Sequence, residues 1–235
     1  MNKKKPIISK NKEYLNLTLN STAMYVEHKG HINTPFKTCW FEKNDSLFPV
    51  YRYKWAKAEE LKSEFIEVIK REGDFQGQTT NVKALHTQWR MHDGSTFEPE
   101  DNSWVIFYKL CEYIKYLCAL HTPEVYGCDP IVQNNKYFLK VVDCWGALYE
   151  EGDKTILHNH EPTQWSFGYY IDIKPGDSPI VFPDIGEEIY PENGDVMIFP
   201  GYANHFVPTQ LNNHERIMVA GNIEIYPFMD DDWGF

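Results

Sequence analysis

Short apolar runs at close spacing dominate the chain from about residue 137 to residue 228. Gly, Pro, Asp and Asn separate these runs, as in the segments "KPGDSP" and "PENGD". Apolar runs of this kind, bounded by turn residues, are typical of β-strands, and no helix of ordinary length fits between them. This half of the chain is therefore predicted to form a strand-dense core of the jelly-roll type.

One segment before this core has the pattern of an amphipathic helix. In residues 55–74, Glu and Lys cover one side, and Gly73 is the expected C-terminal cap. The opposite face is apolar and consists of Leu61, Phe65, Val68 and Ile69. This pattern predicts a helix that lies on a sheet. Residues 79–89, which follow, are predicted to form a single strand.

A second helix is predicted over residues 103–123. Ser103 can act as its N-cap, and Pro123 is expected just past its end. Apolar residues occur nearly all round this segment, which indicates a largely buried helix. Residues 92–102, which precede it, are predicted to form a loop.

The expected fold is mainly β (α+β), with a jelly-roll core, N-terminal strands and two buttressing helices. Since no linker separates the two halves, we expect a single domain over residues 1–235. Residues 1–136 would supply the N-terminal strands and supporting helices, and residues 137–228 the core. The aromatic share of 15% also favours a β-rich fold with a lined cavity. Four aromatic residues are candidate pocket walls or core: Trp145, Tyr149, Trp165 and Tyr202.

Charge and hydropathy exclude two classes of partner. The formal net charge is −11 over 235 residues, whereas a protein that binds a phosphate backbone needs clustered Lys and Arg. We therefore expect no nucleic-acid partner. No run of about 20 apolar residues is present, and no apolar segment follows the basic "NKKK" start as in a signal peptide. We therefore expect no membrane partner.

The cysteines indicate a reducing compartment. The chain has five of them, widely spaced and without a CxxC pair: Cys39, Cys111, Cys118, Cys128 and Cys144. This spacing is not that of a zinc ribbon or a redox motif. Reduced thiols that fill the core, in a cytoplasmic protein, are the simplest interpretation.

The segment "ILHNHEP" places two histidines two residues apart. On a strand, His158 and His160 would point to the same face and converge on one ion. His205, at the start of an apolar strand, is the better third ligand, because His214 lies in a polar turn and is expected to be exposed. The same H-x-H pattern also occurs on the wet faces of amphipathic strands, so the pair alone leaves both interpretations open.

Arg216 favours the metal interpretation. Residues 205–208 and 216–222 are predicted to be two strands joined by a turn, and a hairpin closed there would place Arg216 across from His205. The planar guanidinium matches a carboxylate with two hydrogen bonds, so a metal-facing histidine would have a carboxylate clamp beside it. Alternatively, Arg216 is a surface residue paired with Glu215 or Glu224.

These segments together resemble the iron(II)/2-oxoglutarate-dependent dioxygenases, closest to the prolyl-hydroxylase-like branch. The resemblance covers roughly residues 140–226 and rests on the H-x-H pair, "GYYI", "PENGDVMIFPGYANHFVP" and "ERIMVAGNI". It implies a double-stranded β-helix fold and an Fe(II) ion bound by His158 and His205. It also implies that Arg216 grips the distal carboxylate of 2-oxoglutarate, with Tyr170 adding a hydrogen bond to that carboxylate.

The chain departs from the family pattern at the metal site. Most of the family has a carboxylate two residues after the first histidine, where this chain has His160. Glu161 and Asp153 carry carboxylates but lack that spacing. Met218 stands where many members have Ser or Thr. We therefore predict that the metal ligands are His158, His160 and His205.

The reaction implied is hydroxylation of a substrate C–H bond, with 2-oxoglutarate converted to succinate. Two alternatives stay open. A cupin-like three-histidine iron dioxygenase would use no 2-oxoglutarate, and Arg216 would then bind an anionic substrate. A jelly-roll binding domain would carry the histidines by coincidence. The expected partner is a small-molecule or protein side-chain substrate, and strand edges are compatible with an oligomer.

Overall fold

The computed structural model of the protein describes residues 37–43, 46–74, 80–127 and 137–227. Its two α-helices are α1 (Ala58–Glu72) and α2 (Trp104–Tyr126), and a short 3-10 helix covers Gly94–Thr96. The strands are β1 (Lys37–Lys43), β2 (Ser46–Lys54), β3 (Val82–Lys83), β4 (Leu85–His86), β5 (Tyr137–Tyr149), β6 (Lys154–His158), β7 (Trp165–Asp172), β8 (Ile180–Phe182), β9 (Glu187–Ile189), β10 (Asp195–Pro200), β11 (His205–Val207) and β12 (Arg216–Pro227). The mostly β composition with two helices is as predicted.

The strands form two sheets. A seven-stranded sheet has the order β1-β2-β10-β7-β12-β5-β4, and a five-stranded sheet has the order β3-β6-β11-β8-β9. The named strands pair antiparallel throughout. Both sheets combine strands from the first and second halves of the chain, because β2 pairs with β10 and β3 pairs with β6.

The two faces of the seven-stranded sheet bury different layers. On one face, α1 and α2 pack against side chains such as Tyr169 and Val219. On the other face, a second apolar cluster that includes Trp145 and Tyr170 lies with residues of the five-stranded sheet. Successive residues of β7 therefore serve different layers, as strand alternation requires. Trp165 belongs to the helix side and is fully buried there, so it is core and not a pocket wall.

Helix α1 forms where its apolar period predicts. It buries the predicted face, with Ala58 added: Ala58, Leu61, Phe65, Val68 and Ile69. Gly73 follows its last residue with a φ of −71°, so left-handed backbone is not the reason for glycine. A Cβ atom there would lie 2.0 Å from Cδ2 of Leu85. Gly73 is needed for this close approach of the helix end to β4.

Helix α2 runs past its predicted end. Pro123 lies inside the helix, which continues to Tyr126 and ends at Gly127 with a φ of 70°. Contacts with the strand region hold this extra turn: Trp165 Nε1 donates to Thr122 Oγ1 at 3.1 Å, and the Tyr126 hydroxyl donates to the Gln164 carbonyl. Tertiary contacts thus outweigh the local preference of proline for a helix start.

Ser103 precedes α2 but forms no side-chain cap. Its backbone N–H instead donates to Oδ1 of Asp101 at 2.8 Å. The preceding loop, as predicted, holds only the short 3-10 turn within its described residues. The position of the N-terminus was thus predictable, while the capping group was not.

The single strand predicted over residues 79–89 was wrong. The segment forms two short strands that add to different sheets, β3 beside β6 and β4 beside β5. Ala84, between them, is fully buried where the chain crosses. A hydrophobic run that is buried on both sides does not reveal such a crossing.

Three of the predicted core cysteines, Cys111, Cys118 and Cys144, are buried free thiols. Cys128 lies outside the described residues. No helix in the described ranges is long and apolar enough to cross a membrane.

The contact between α1 and β5 depends on Gly146. A Cβ atom there would lie 2.4 Å from Cγ1 of Ile69. We expect Gly146→Ala to lower the free energy of unfolding by about 1–3 kcal/mol through overpacking, measured by urea denaturation. Ile69→Ala removes the clashing atoms, so Gly146→Ala should lower the free energy of unfolding much less in the Ile69→Ala background. An equal loss in both backgrounds would show that the contact with Ile69 is not the cause.

His121 makes folding sensitive to acid. Its ring stacks on Tyr51 with centroids 3.6 Å apart, and its side chain is 14% exposed. Burial lowers the pKa of His121 from 6.5 to about 4. Below pH 6.5 the unfolded chain therefore takes up a proton that the folded chain takes up only near pH 4. Stability is lost as the pH falls through this window.

We compare the wild-type chain with His121→Gln by urea denaturation between pH 7 and pH 4. Between pH 7 and pH 4, the free energy of unfolding of the wild-type chain should fall by about 2–3 kcal/mol more than that of the variant. The other histidines are the same in both chains, so their contributions cancel in the difference. A difference between the two chains that stays constant with pH would contradict the assignment.

Candidate metal and anion site

Three histidines meet at one end of the five-stranded sheet. His158 is the last residue of β6, His160 follows two residues later, and His205 is the first residue of β11. The antiparallel pairing of these strands sets His205 directly opposite His158. One ligand nitrogen from each ring lies within 4.8 Å of the others. The ring centroids are 4.4 to 5.1 Å apart.

His160 reaches this cluster from a turn and not from a strand. The strand ends at His158, so strand alternation does not explain where His160 points. Its backbone N–H donates to the Gly201 carbonyl at 2.8 Å, and its own carbonyl accepts from Thr163 N–H at 2.9 Å. The three predicted residues are therefore together, but backbone hydrogen bonds of the turn place the second one.

Two asparagines join the segments that carry the histidines. Asn159 Nδ2 donates to Asn204 Oδ1 at 3.3 Å, and Asn204 Nδ2 donates to Asp184 Oδ2 at 2.8 Å. Asn159 lies between His158 and His160, and Asn204 precedes His205. These side-chain hydrogen bonds fix the spacing between the segment of His158 and His160 and the segment of His205.

Hydrogen bonds to carbonyl oxygens fix two of the ring tautomers. Nδ1 of His158 lies 2.8 Å from the Ile156 carbonyl, and Nδ1 of His205 lies 2.9 Å from the Ala203 carbonyl. Because a carbonyl only accepts, each Nδ1 carries the proton. The Nε2 atoms of both rings therefore present lone pairs, which is the arrangement of metal-ligating histidines.

Burial keeps the three imidazoles neutral. It is the largest influence on each ring, and it lowers the pKa of His160 to about 2 and that of His205 to about 3. Charge on the neighbouring histidines lowers both values further. The pKa of His158 is also lowered, again mainly by burial. At neutral pH all three rings can therefore act as ligands without first losing a proton.

The residues considered as alternative ligands lie elsewhere. Glu161 is exposed, and the Asp153 carboxylate accepts from Glu150 N–H at 2.8 Å. His214 was expected to be exposed but is not: its side chain is 13% exposed, with Nε2 3.7 Å from Asp172 Oδ2. Among the described residues, the cluster at His158 contains imidazoles alone.

The predicted hairpin between His205 and Arg216 was wrong. Strand β11 belongs to the five-stranded sheet and β12 to the seven-stranded sheet, where Arg216 pairs with Tyr149. The "TQLNN" segment is thus a crossing between sheets. A turn pattern between two strands does not reveal whether the strands pair with each other.

Arg216 is buried without an acid. Its side chain is 0% exposed, and its guanidinium lies over the rings of Tyr149 and Tyr170, 4.8 and 5.5 Å from their centroids. Nη1 lies 3.5 Å from the Met218 sulfur, while Nε and Nη2 have no hydrogen-bond partner in the described part of the chain.

The surface alternative for Arg216 was therefore wrong. Glu215 pairs with Lys70, and Glu224 accepts from the Tyr226 hydroxyl. A buried guanidinium with unpaired donors is costly unless an anion completes it. Its geometry fits a carboxylate.

A cavity between the two sheets connects the histidines with the surroundings of Arg216. Both sheets line it, with His158, His160, His205, Trp145, Tyr149, Thr155, Tyr170, Phe199, Val207 and Met218 among the lining residues. Arg216 itself is not a lining residue, but its three contacts Tyr149, Tyr170 and Met218 are. Tyr202, a candidate wall, lies outside this lining and is 41% exposed.

The phenols beside Arg216 stay protonated. Burial raises the pKa of Tyr170 to about 12, and the pKa of Tyr149 is raised for the same reason, against the opposing effect of Arg216. The Tyr149 hydroxyl is 2.7 Å from Thr155 Oγ1. The contacts of Arg216 with Tyr149 and Met218, and the hydrogen bond between Tyr149 and Thr155, could not be predicted from the sequence because they depend on the strand register.

No protein-family model and no curated protein sequence matches the chain. Solved structures do resemble it. The viral collagen prolyl hydroxylase of Paramecium bursaria Chlorella virus-1, in complex with 2-oxoglutarate, is 13% identical with a TM-score of 0.51, over 74% of this chain and 94% of that one. AviO1 from Streptomyces viridochromogenes is 11% identical with a TM-score of 0.53, over 74% and 89%.

A third structure, HygX from Streptomyces hygroscopicus with nickel, 2-oxoglutarate and hygromycin B, is 11% identical with a TM-score of 0.51. The match covers 79% of this chain and 85% of that one. At these identities the likeness establishes a shared fold. The expected resemblance to 2-oxoglutarate–Fe(II) oxygenases, prolyl hydroxylases included, is confirmed at that level.

The unpaired Arg216 predicts a stability gain when its charge is removed. We expect Arg216→Met to raise the free energy of unfolding of the ligand-free protein by about 1–4 kcal/mol, measured by urea denaturation. Arg52→Met is the matched control, because Arg52 pairs with the fully buried carboxylate of Asp195. Lys54 still pairs with Asp195 in that variant, so its free energy of unfolding should fall by about 1–3 kcal/mol. Equal losses in both variants would contradict an unpaired Arg216.

Proposed function

We propose that the chain is an Fe(II)- and 2-oxoglutarate-dependent oxygenase that hydroxylates a substrate C–H bond and converts 2-oxoglutarate to succinate and CO₂. The observation that supports this most is the buried Arg216, whose unpaired nitrogens lie against the walls of a cavity that also holds three neutral imidazoles. A small molecule that binds a metal held by the imidazoles at one end, and carries a negative charge at the other, would also pair with Arg216.

The three histidines fit an iron(II) ion. Imidazole suits iron among the divalent metals, and three protein ligands leave positions open for a chelating cosubstrate and O₂. We propose His158, His160 and His205 as the ligands. The third neutral ligand leaves the centre one unit more positive than the common two-histidine, one-carboxylate arrangement. This extra charge favours a cosubstrate that binds as an anion.

The surroundings of Arg216 fit the distal carboxylate of 2-oxoglutarate. Nε and Nη2 are the free donors, and they can form the paired hydrogen bonds that a carboxylate accepts. We propose that Tyr170, protonated and in contact with the guanidinium, donates a further hydrogen bond to the same carboxylate. Binding would thus supply the acid that Arg216 lacks.

With Fe(II) and 2-oxoglutarate bound, the pair would supply the oxidising chemistry, in which O₂ is reduced, 2-oxoglutarate loses CO₂ and the substrate is hydroxylated. The protein's residues hold these groups in place. The carbonyls of Ile156 and Ala203 orient two ligand rings. Trp145, Phe199 and Val207 line the cavity with apolar surface, which excludes water from the reacting atoms.

One observation favours a second candidate function. The ligand cluster contains imidazoles alone, as a three-histidine iron dioxygenase without 2-oxoglutarate would require. In that case Arg216 would bind the anionic group of the substrate itself. The two functions differ in one product, since only the first forms succinate.

We also propose that the two facing sheets form a double-stranded β-helix and that the chain folds as a single domain over residues 1–235. The support is the exchange of strands between its halves: β2 lies between β1 and β10, and β3 and β4 close the edges at β6 and β5. Residues 137–228 would form the core that carries the site.

The substrate class is proposed from the neighbours. HygX is described with hygromycin B bound, and the viral enzyme is described as a collagen prolyl hydroxylase. We propose that this chain likewise acts on a small molecule or on a protein side chain.

Metal and cosubstrate binding can be tested without a substrate. Anaerobic titration with Fe(II) and 2-oxoglutarate should give the weak visible band of the chelated cosubstrate. His158→Ala and His205→Ala should each weaken Fe(II) binding more than about 100-fold, beyond the effect of removing an outer-shell partner. His214→Gln, a histidine outside the cluster, should leave it unchanged. Undiminished iron binding in both alanine variants would overturn the ligand assignment.

Turnover separates the two candidate functions. With ascorbate added as the reductant that takes the place of a substrate, the iron-loaded protein in air should slowly convert 2-oxoglutarate to succinate and CO₂, measured by mass spectrometry. Iron binding with neither the visible band nor succinate would favour the three-histidine alternative. Absence of metal binding would leave the binding-domain interpretation.

A further inference from the structure

A second group of metal-ligand side chains lies away from the three histidines. His92, Cys111 and Cys144 each offer one ligand atom, and these atoms lie within 4.8 Å of one another. Cys111 is on α2, Cys144 is on β5, and His92 is in the loop between β4 and α2. Both cysteines are buried, with exposures of 1% and 0%.

Backbone hydrogen bonds hold the loop of His92 against β5. Met91 N–H donates to the Cys144 carbonyl at 2.9 Å, and Cys144 N–H donates to the Trp89 carbonyl at 2.7 Å. These two bonds flank Cys144, so the loop is fixed at the residue that carries one of the thiols. The position of His92 beside that thiol follows from this pairing.

The ring of His92 has one satisfied and one unsatisfied nitrogen. The Val141 carbonyl accepts a hydrogen bond from the ring, whereas Nδ1 is buried and has no hydrogen-bond partner among the described residues. Since the carbonyl only accepts, the bonded nitrogen is Nε2, and Nδ1 carries a lone pair. A ring held by a backbone carbonyl with its other nitrogen free is the usual state of a ligating histidine.

We infer that His92, Cys111 and Cys144 form a second metal site, which binds a divalent ion that prefers thiolates, of the Zn²⁺ type. Sulfur ligands select such ions over Mg²⁺ or Ca²⁺. On binding, the hydrated ion loses water ligands, both S–H bonds break with release of their protons to solvent, and two metal–sulfur bonds and one metal–nitrogen bond form. Burial raises the pKa of the Cys144 thiol, so the metal itself has to drive the loss of that proton. No oxidant or reductant takes part.

Charge balance explains why the ion would be divalent. Two thiolates and one neutral imidazole carry a charge of −2, so a divalent ion makes the complex neutral overall. A neutral complex suits a buried position, where an uncompensated charge is costly. A monovalent ion such as Cu⁺ would leave the buried complex negative.

The distances require only a small adjustment. In a tetrahedral zinc site with Zn–S bonds of about 2.3 Å and Zn–N bonds of about 2.0 Å, the ligand atoms lie roughly 3.5–3.8 Å apart. Donors that already lie within 4.8 Å need to approach by about 1 Å. The three ligands leave a fourth position, as in zinc sites that keep a bound water.

This site is independent of the proposed oxygenase centre. Cys111 and Cys144 belong to the cluster between the helices and the seven-stranded sheet, whereas the three histidines face the cavity between the sheets. A metal here would join α2 to β5 and so act on the fold. Its test does not depend on iron or 2-oxoglutarate.

Cobalt(II) is the probe, because thiolate ligands give it an intense near-ultraviolet charge-transfer band that imidazoles do not produce. We titrate the reduced full-length protein with Co²⁺. The band should reach its maximum when one Co²⁺ ion is bound at the thiolate site of each chain. Cys111→Ser and Cys144→Ser should each abolish the band or weaken Co²⁺ affinity at this site more than about 100-fold. Excess Zn²⁺ should displace the cobalt and remove the band.

Cys118→Ser is the matched control, since Cys118 is a buried cysteine of the same helix outside the cluster. It should keep both the band and its affinity, as should His158→Ala. Far-ultraviolet circular dichroism establishes that the serine variants remain folded, and a His92→Ala variant tests the site without altering a thiol.

Absence of the band in the reduced wild-type protein would overturn the inference. A band that persists in Cys144→Ser would do the same, as would a disulfide between Cys111 and Cys144 found by mass spectrometry in the purified protein.

Discussion

The constraint on which the proposed site depends is a fully buried guanidinium, that of Arg216, which pairs with no acidic residue in the described ranges. Strand β12 lies between β5 and β7 and pairs with both over most of its length. Its register places Arg216 opposite Tyr149 and Met218 opposite Tyr170. The two phenol rings offer the cation their faces, while Nε and Nη2 have no hydrogen-bond partner among the described residues. Such an arrangement costs stability, and it becomes favourable when a ligand brings a carboxylate to it.

In the proposed site, the two sheets would bind opposite ends of that ligand. The five-stranded sheet carries His158 and His205 on paired strands, and the seven-stranded sheet carries Arg216. The cavity between them is bounded by both. A molecule that binds a metal at one end and Arg216 at the other would span the sheets, and the helices support the seven-stranded sheet from its opposite face. The separation of the sheets would therefore set the length of the ligand that the proposed site accepts.

Local pattern predicted most of the architecture. The short apolar runs predicted β5 to β12, and the apolar period predicted α1, because both signals come from residues close in sequence. The predicted end of α2 was wrong because contacts of Thr122 and Tyr126 with the strand region extend the helix past Pro123. The single strand predicted over residues 79–89 was wrong because the two halves of this segment join different sheets. Both errors arise from tertiary contacts, which local sequence patterns do not encode.

The site was predictable to a similar degree and for similar reasons. Spacing identified the three histidines, which the structure brings together, although a turn and not a strand positions His160. Arg216 was predicted to lie across a hairpin from His205, whereas it lies on the other sheet, in contact with the cavity-lining residues Tyr149 and Tyr170. The group of His92, Cys111 and Cys144 was not predicted at all. Its members lie far apart in sequence and form no motif.

The role of Arg216 is tested most directly by comparing two ligands that differ in one carboxylate. The affinities of the Fe(II)-loaded protein for 2-oxoglutarate and for 2-oxovalerate, which lacks the distal carboxylate, are measured anaerobically in the wild-type chain and in Arg216→Met. The wild-type chain should prefer 2-oxoglutarate by roughly 30-fold or more, as expected for a buried charge pair, and the variant should bind both ligands alike. An equal preference in the two chains would show that Arg216 does not bind the distal carboxylate and would contradict the proposed site.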